Sequence, residues 1–385
     1  MSEVLVVHCV DTEGPLGGDA RRLPDGSPEF MDDWDDILGS LADLTAPEFR
    51  AGHADSFGGP YRFSWFVMDF TGFRTNPKQR VADYHDTWDH LATLPVESDG
   101  RYWHYHVPPS SGVGDEWSDT WLSSNECNVI LARRLLERGE FPAAFRAGGT
   151  IEDEATSRWL EHAIPIDFSN RVSERSAPGA DLYHFDWYRA PAIWGSYHPA
   201  LGDPMREGSL GRFVYRSLDL RSRYNELTQA HVDGCFEEVA RSARPRVLSY
   251  FSHDNRDMRS ETYDVVELLR AAERRIGVPW RSCTAVEAHQ RYHHLSPTRP
   301  GLSLRLGERE CEITASSEPF QREPFAAVAF RDGRVVRVFP TSVGPNTWRL
   351  ALGGVPATRV AAAITSVAGE TAVAFAEIPD GTDHE

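Results

Sequence analysis

A chain of 385 residues with 41% hydrophobic and 25% charged side chains has an ordinary globular composition, long enough for two domains or one large barrel plus an appendage. Its formal net charge of -18 disfavours nucleic acid and anionic membranes as partners, because a polyanion is repelled by both. Five scattered cysteines without a Cys-x-x-Cys fit buried thiols in a reducing compartment, and no apolar run approaches the roughly 20 residues that span a bilayer. With no basic region ahead of the short apolar run at Val4, a cytoplasmic protein is expected.

Residues 4–15 read V-L-V-V-H-C-V-D-T-E-G-P. The valine-rich opening is that of a strand buried on both faces, and it breaks at Gly14-Pro15 into a turn. Side chains two apart on a strand point the same way, about 6–7 Å apart. Asp11 and Glu13 are thus placed to share the carboxyl end of a parallel sheet, where α/β proteins build their sites. A loop over 16–30, a helix over 31–44 and a strand over 62–70 follow. Next come a helix over 78–94, an aromatic strand over 101–107 and a helix over 122–138 stopped by Gly139. A strand over 141–146 runs into Ala147-Gly148-Gly149, then a helix over 151–162 and a strand over 164–168.

That alternation is the signature of parallel β/α units. Residues 169–222, rich in aromatics, Pro and Gly, read as a long insertion or loop system, with a lid or a substrate wall as its expected role. Alternation resumes with helices over 225–242, 261–276 and 285–292 and strands over 246–252 and 278–281. Six to eight such units are closer to a barrel than to an open sheet. After a linker at 297–301 the texture changes to short alternating segments with a hairpin signal at Asp332-Gly333. The expected organisation is a β/α barrel over 1–296 followed by a small all-β, sandwich-like domain over 301–385.

Three further strand ends carry chemistry-bearing residues. His104 and His106, with one residue between them, face the same side of a strand end at chelating separation. Together with Asp11 and Glu13 they make a donor set for a divalent ion, zinc first, with nickel, cobalt or manganese as alternatives. Arg146 ends another strand and is suited to holding a carboxylate by a two-pronged contact. His253 ends the strand over 246–252, where a histidine can act as a general acid, with Asp254 to orient it and raise its pKa. In the insertion, Trp187, Trp194, Tyr197 and His198 are candidates for stacking on a sugar ring. No glycine-rich phosphate loop, Gly-x-Ser-x-Gly elbow or His-Glu-x-x-His is present.

The order of these motifs resembles the polysaccharide deacetylase superfamily, also known as the NodB homology or carbohydrate esterase 4 superfamily, over about residues 4–292. It looks closest to divergent members with an Asp-x-Glu first motif. The resemblance implies an irregular (β/α)7 barrel and divalent-metal-dependent removal of acetyl groups from an N-acetylated sugar or oligosaccharide, or hydrolysis of other linear amides. It implies that of Asp11 and Glu13 one acts as general base and the other ligates the metal. His104 and His106 would be the remaining ligands, Arg146 would orient the base, and His253 would be the general acid. Three departures stand out: the two acids are not adjacent, the histidines are separated by one residue instead of three, and no proline follows Arg146 two places on. A catalytically inactive barrel that binds carbohydrate is the main rival. An amidohydrolase would carry His-x-His on its first strand. A glycosidase would draw its two acids from different strands.

Overall fold

The computed structural model describes residues 2–15, 30–31, 33–69, 84–107, 121, 125–178, 187–220, 225–353 and 356–379. At its centre lies β1 (Val4–Thr12), all nine of whose residues are buried. Leu5, Val7 and Cys9 point into an inner cluster with Phe66, Phe168 and Tyr215. Val4, Val6 and Val10 point the other way, into a layer with Ile37, Leu41 and Leu269. Two buried faces explain why this strand reads as a continuous apolar run.

The elements after β1 follow the expected alternation. They are α1 (Trp34–Thr45), α2 (Pro47–Gly52), β2 (Phe63–Val67), α3 (Asp86–Leu91), β3 (Gly100–Tyr105), α4 (Glu126–Arg133), β4 (Ala144–Ala147), α5 (Glu154–Glu161) and β5 (Ile166–Asn170). Helix α1 begins later than its apolar spacing suggests because Asp33 caps it, its side chain accepting from Asp36 N at 2.8 Å. Most of the expected loop over 16–30 and the first part of the expected helix over 78–94 lie outside the described residues. Helix α4 passes into a π-helical turn over Arg134–Arg138, which Gly139 ends at φ 69°.

The stretch expected as an insertion supplies sheet strands instead. It holds β6 (Ser196–Tyr197), β7 (Pro199–Ala200), β8 (Asp203–Glu207), β9 (Phe213–Arg216) and β10 (Leu218–Asp219), and no helix among its described residues. The chain then forms α6 (Gln229–Ser242), β11 (Arg246–His253), α7 (Met258–Ile276), β12 (Trp280–Ser282) and α8 (Ala285–His293). The sheet order is β10-β11-β1-β2-β3-β4-β5-β9-β6, with β12 also on β1. The result is a curled, mixed α/β half-barrel rather than the closed (β/α)7 barrel that the motif order implied. The physical reason is local. Antiparallel β6 takes the edge of β9 that faces away from β5, so this stretch reaches β11 only beyond Ser217, through the two residues of β10.

The C-terminal strands are β13 (Leu302–Leu306), β14 (Glu310–Ala315), β15 (Phe325–Phe330), β16 (Val335–Val338), β17 (Thr341–Gly344), β18 (Thr347–Ala351), β19 (Ala357–Thr365) and β20 (Thr371–Glu377). They make two four-stranded antiparallel sheets, β13-β14-β18-β17 and β16-β15-β19-β20. Between them Cys311, Ile313, Trp348 and Leu350 meet Val328, Val360 and Ile364. The outer side of the second sheet is also covered. Phe325, Ala327, Ala361 and Ala363 pack with Ile130, Leu131 and Leu135. Arg337 Nη1 donates to Asn128 Oδ1 and Arg359 Nη1 to Leu136 O, both at 2.8 Å. No helix among the described residues is long and apolar enough to cross a membrane.

One buried polar chain crosses the outer layer. His8 Nδ1 lies 2.9 Å from the Tyr61 hydroxyl and His8 Nε2 lies 2.7 Å from Ser252 Oγ, while Tyr61 meets the Tyr250 hydroxyl at 2.6 Å. Burial pushes His8 down to about 3, and it does the same to His289, which contacts the Tyr215 hydroxyl and Val367 O. In the unfolded chain a histidine takes up its proton near pH 6.5. The contribution of these two histidines to stability is therefore fully present above that pH and is lost as pH falls from 6.5 toward 3. The urea midpoint is expected to drop between pH 6.5 and 5, before most carboxylates titrate, with His8→Gln flattening the slope. A level wild-type midpoint over that interval would contradict this.

Candidate metal centre

The parallel register brings the sequence-predicted residues to one end of the sheet. Asp11 on β1 stands opposite His253 on β11, and His104 on β3 stands opposite Arg146 on β4. Glu13 lies just beyond the last residue of β1, and His106 just beyond β3. All but His253 are buried.

Glu13 and the two histidines form the tightest group. His106 Nε2 lies 3.0 Å and His104 Nε2 3.3 Å from Glu13 Oε1, and the imidazole centroids are 4.9 Å apart with planes at 80°. One ligand atom from each residue falls within 4.8 Å of the others. A tetrahedral centre with bonds of about 2.0–2.1 Å sets its ligand atoms roughly 3.3 Å apart, so the spacing suits a small divalent ion.

The proton on His104 strengthens that reading. Its Nδ1 lies 3.1 Å from Arg146 O and 3.6 Å from Asp11 Oδ1, both acceptors, so Nδ1 carries the hydrogen. A neutral ring then aims the lone pair of Nε2 at the Glu13 carboxylate. Two electron-rich atoms at that distance require a proton, on the ring or on the carboxyl group, or a cation between them. Burial alone would lower the His104 pKa, but the charges of Asp11 and Glu13 outweigh it and raise it, reflecting the same demand for positive charge. The peptide carbonyl that fixes the tautomer is the outer-shell partner typical of a ligating histidine. His106 is packed against Gly148, where a Cβ would come within 2.4 Å of its Cγ. Gly148 is therefore needed for space, a constraint that the sequence pattern registers only as a turn.

Asp11 occupies a different environment. Arg146 donates from Nε to Asp11 Oδ1 at 2.6 Å and from Nη2 to Oδ2 at 3.0 Å. Its third donor, Nη1, goes to Phe168 O at 2.7 Å, and its Cζ stacks 3.9 Å from the centroid of Phe251. Burial would raise the Asp11 carboxyl, but the Arg146 guanidinium and the His104 imidazole overcome it and hold the group below its ordinary value. The two acids are thus separated by environment, one paired with the guanidinium and the other with the imidazoles. Among the described residues Asp11 is not in the group whose spacing suits a metal.

His253 reaches the site but not in the expected state. Its Nε2 is 4.0 Å from Asp11 Oδ2, and its buried Nδ1 has no hydrogen-bond partner among the described residues. Burial and the Arg256 charge lower it to about 4, so it is neutral near pH 7 rather than an imidazolium. Asp254 does not orient it. The Asp254 carboxylate instead accepts from Glu13 N at 2.9 Å and Gly14 N at 3.0 Å. Asp219, at the end of β10 and 3.8 Å from Arg256 Nη1, is a further buried acid at this mouth. The sequence pattern does not single it out, because its strand falls in the stretch expected as an insertion.

The expected stacking residues are engaged in packing. Trp187, Trp194 and Tyr197 are buried. Trp187 Nε1 donates to Thr150 O at 2.9 Å, the Tyr197 hydroxyl donates to Pro204 O at 2.6 Å, and Arg216 stacks 4.4 Å over Trp194. His198 Nδ1 lies 3.0 Å from Arg212 O, and its ring packs on Phe213. They bind this segment to the sheet and present no exposed sugar platform.

No protein-family model matches the chain, and no curated protein matches it. Among solved structures it is similar to a provisionally named glycoside hydrolase/deacetylase from Parabacteroides distasonis, with a TM-score of 0.43 and 9% identity over 88% of this chain and 85% of that one. A likeness of that degree carries no argument about chemistry, which rests on the residues themselves.

Removing one partner of a buried ion pair leaves the other charge uncompensated, at a cost of about 3–5 kcal/mol. Arg146→Met is expected to destabilise the protein by about that much in urea unfolding, and adding Asp11→Asn should restore part of the loss. Two single substitutions that simply add would show that the pair is not coupled.

Proposed function

We propose that this protein is a divalent-metal-dependent hydrolase of C–N amide bonds that removes the acetyl group from an N-acetylated sugar. In this reading residues 1–296 carry the chemistry and residues 301–385 brace them. The single observation that carries the reading is the Glu13 carboxylate shared by His104 and His106 beside a second carboxylate held by Arg146. The resemblance to polysaccharide deacetylases in motif order supports it.

Glu13, His104 and His106 would hold the ion, zinc being the best match to one carboxylate and two imidazoles, with nickel, cobalt or manganese as alternatives. When bound, such an ion polarises an amide carbonyl and acidifies a water. Asp11 then serves as the base, since Arg146 fixes both of its oxygens and its depressed pKa keeps it ionised. His253 is neutral and 4.0 Å from Asp11. In this reading it would receive the proton that Asp11 collects and pass it to the departing amine, rather than enter the reaction already charged. The inactive carbohydrate-binding alternative loses support from the burial of Trp187, Trp194 and Tyr197.

The double variant His104→Ala/His106→Ala is expected to lose stoichiometric metal by elemental analysis and to lose release of acetate from N-acetylated amino-sugar oligomers. Wild-type rates of acetate release in that variant would end the proposal.

A further inference from the structure

Glu13 is placed by something other than the sheet ladder. The last pairings of β1 are Asp11 with His253 and Thr12 with Val67, so Glu13 lies one residue past the region where strand pairing sets position. On the β2 side the ladder ends with Met68 N donating to Thr12 O at 3.0 Å. On the β11 side Asp254 N donates to Asp11 O at 3.3 Å, and there side chains take over. The Asp254 carboxylate accepts from Glu13 N at 2.9 Å and from Gly14 N at 3.0 Å and 3.3 Å, while Asn255 Nδ2 donates to Gly14 O at 3.2 Å.

Asp254 and Asn255 are themselves fully buried, so neither grip is open to solvent. Gly14 is at φ 72°, a conformation that a side chain strains, and a Cβ there would meet Trp34 at 2.5 Å. The turn is therefore pressed by Trp34 from one side and held by two side chains from the other. On the far side Asn255 O accepts from Met31 N at 2.7 Å, tying the clamp to the segment that leads into α1.

We infer that Asp254 and Asn255 are positioning residues for the metal centre: by gripping the Glu13-Gly14 peptide they set where the Glu13 carboxylate meets His104 and His106. This rests on the reading of Glu13, His104 and His106 as the ligands. Neither residue touches the ion or the substrate. Asp254 acts through the backbone of Glu13 and Gly14 and Asn255 through that of Gly14, as the outer-shell partners of a ligand do when their removal weakens metal binding about 10–100-fold.

The test uses the full-length protein stripped of metal and titrated with zinc against a chelating dye, and with cobalt(II) followed by its visible absorption. Wild type is expected to bind one equivalent. Asp254→Ala is expected to bind zinc about 10–100-fold more weakly and to shift the cobalt absorption, while the metal-free variant still unfolds cooperatively. Asp254→Asn keeps one amide acceptor and should fall between the two, and Asn255→Ala should weaken binding in the same direction. Wild-type affinity and an unaltered cobalt spectrum in folded Asp254→Ala would overturn the inference. If that variant does not fold, unchanged binding in both Asp254→Asn and Asn255→Ala would overturn it equally. Wild type that takes up no metal would overturn the metal centre itself, and this inference with it.

Discussion

The buried pair between Arg146 and Asp11 is the constraint on which the mouth of this sheet depends. A guanidinium and a carboxylate removed from water are tolerable only when their donors and acceptors are satisfied, and here three of the guanidinium's donors have partners. Two of those bonds fix both Asp11 oxygens and the third ties β4 to β5 through Phe168 O. Phe251 closes the face of the guanidinium and brings β11 into the same arrangement. One side chain thereby correlates β1, β4, β5 and β11, and the Arg146 carbonyl sets the His104 tautomer.

The arrangement also divides labour between two acids that the sequence presents as equals. Facing the same side two residues apart, they differ in what reaches them from other strands: a permanent cation for Asp11, two titratable rings for Glu13. A permanent cation removes the need for a proton or metal at Asp11. Glu13 and its imidazoles retain that need, because the lone pair of His104 Nε2 is aimed at a carboxylate oxygen.

The C-terminal strands are attached through packing rather than by a tether alone. The alanines of β15 and β19 leave a shallow surface onto which α4 and its π-helical turn settle, so the second sheet is covered on both faces. Small side chains at those positions allow close approach, as at other tight helix–sheet contacts. The alternation expected of a free-standing sandwich thus gives way to apolar residues on either side of these strands.

Read alone, the sequence determined that a valine-rich strand begins the sheet, that β and α elements alternate, and that short antiparallel strands follow. It also placed Asp11, Glu13, His104, His106, Arg146 and His253 at strand ends. Those features are local: period, breakers and caps are written in neighbouring residues. Other features were legible only after folding. β9 and β10 are short, and they are strands because β5 and β11 supply partners far away in the chain. The buried state of Trp187, Trp194 and Tyr197, the neutrality of His253 and the grip of Asp254 on the Glu13 backbone likewise depend on contacts made at long range. Burial and charge pairing are properties of what surrounds a residue in three dimensions. That is why the identities of the site residues could be read from the sequence, while their protonation states and partners were decided by the tertiary structure.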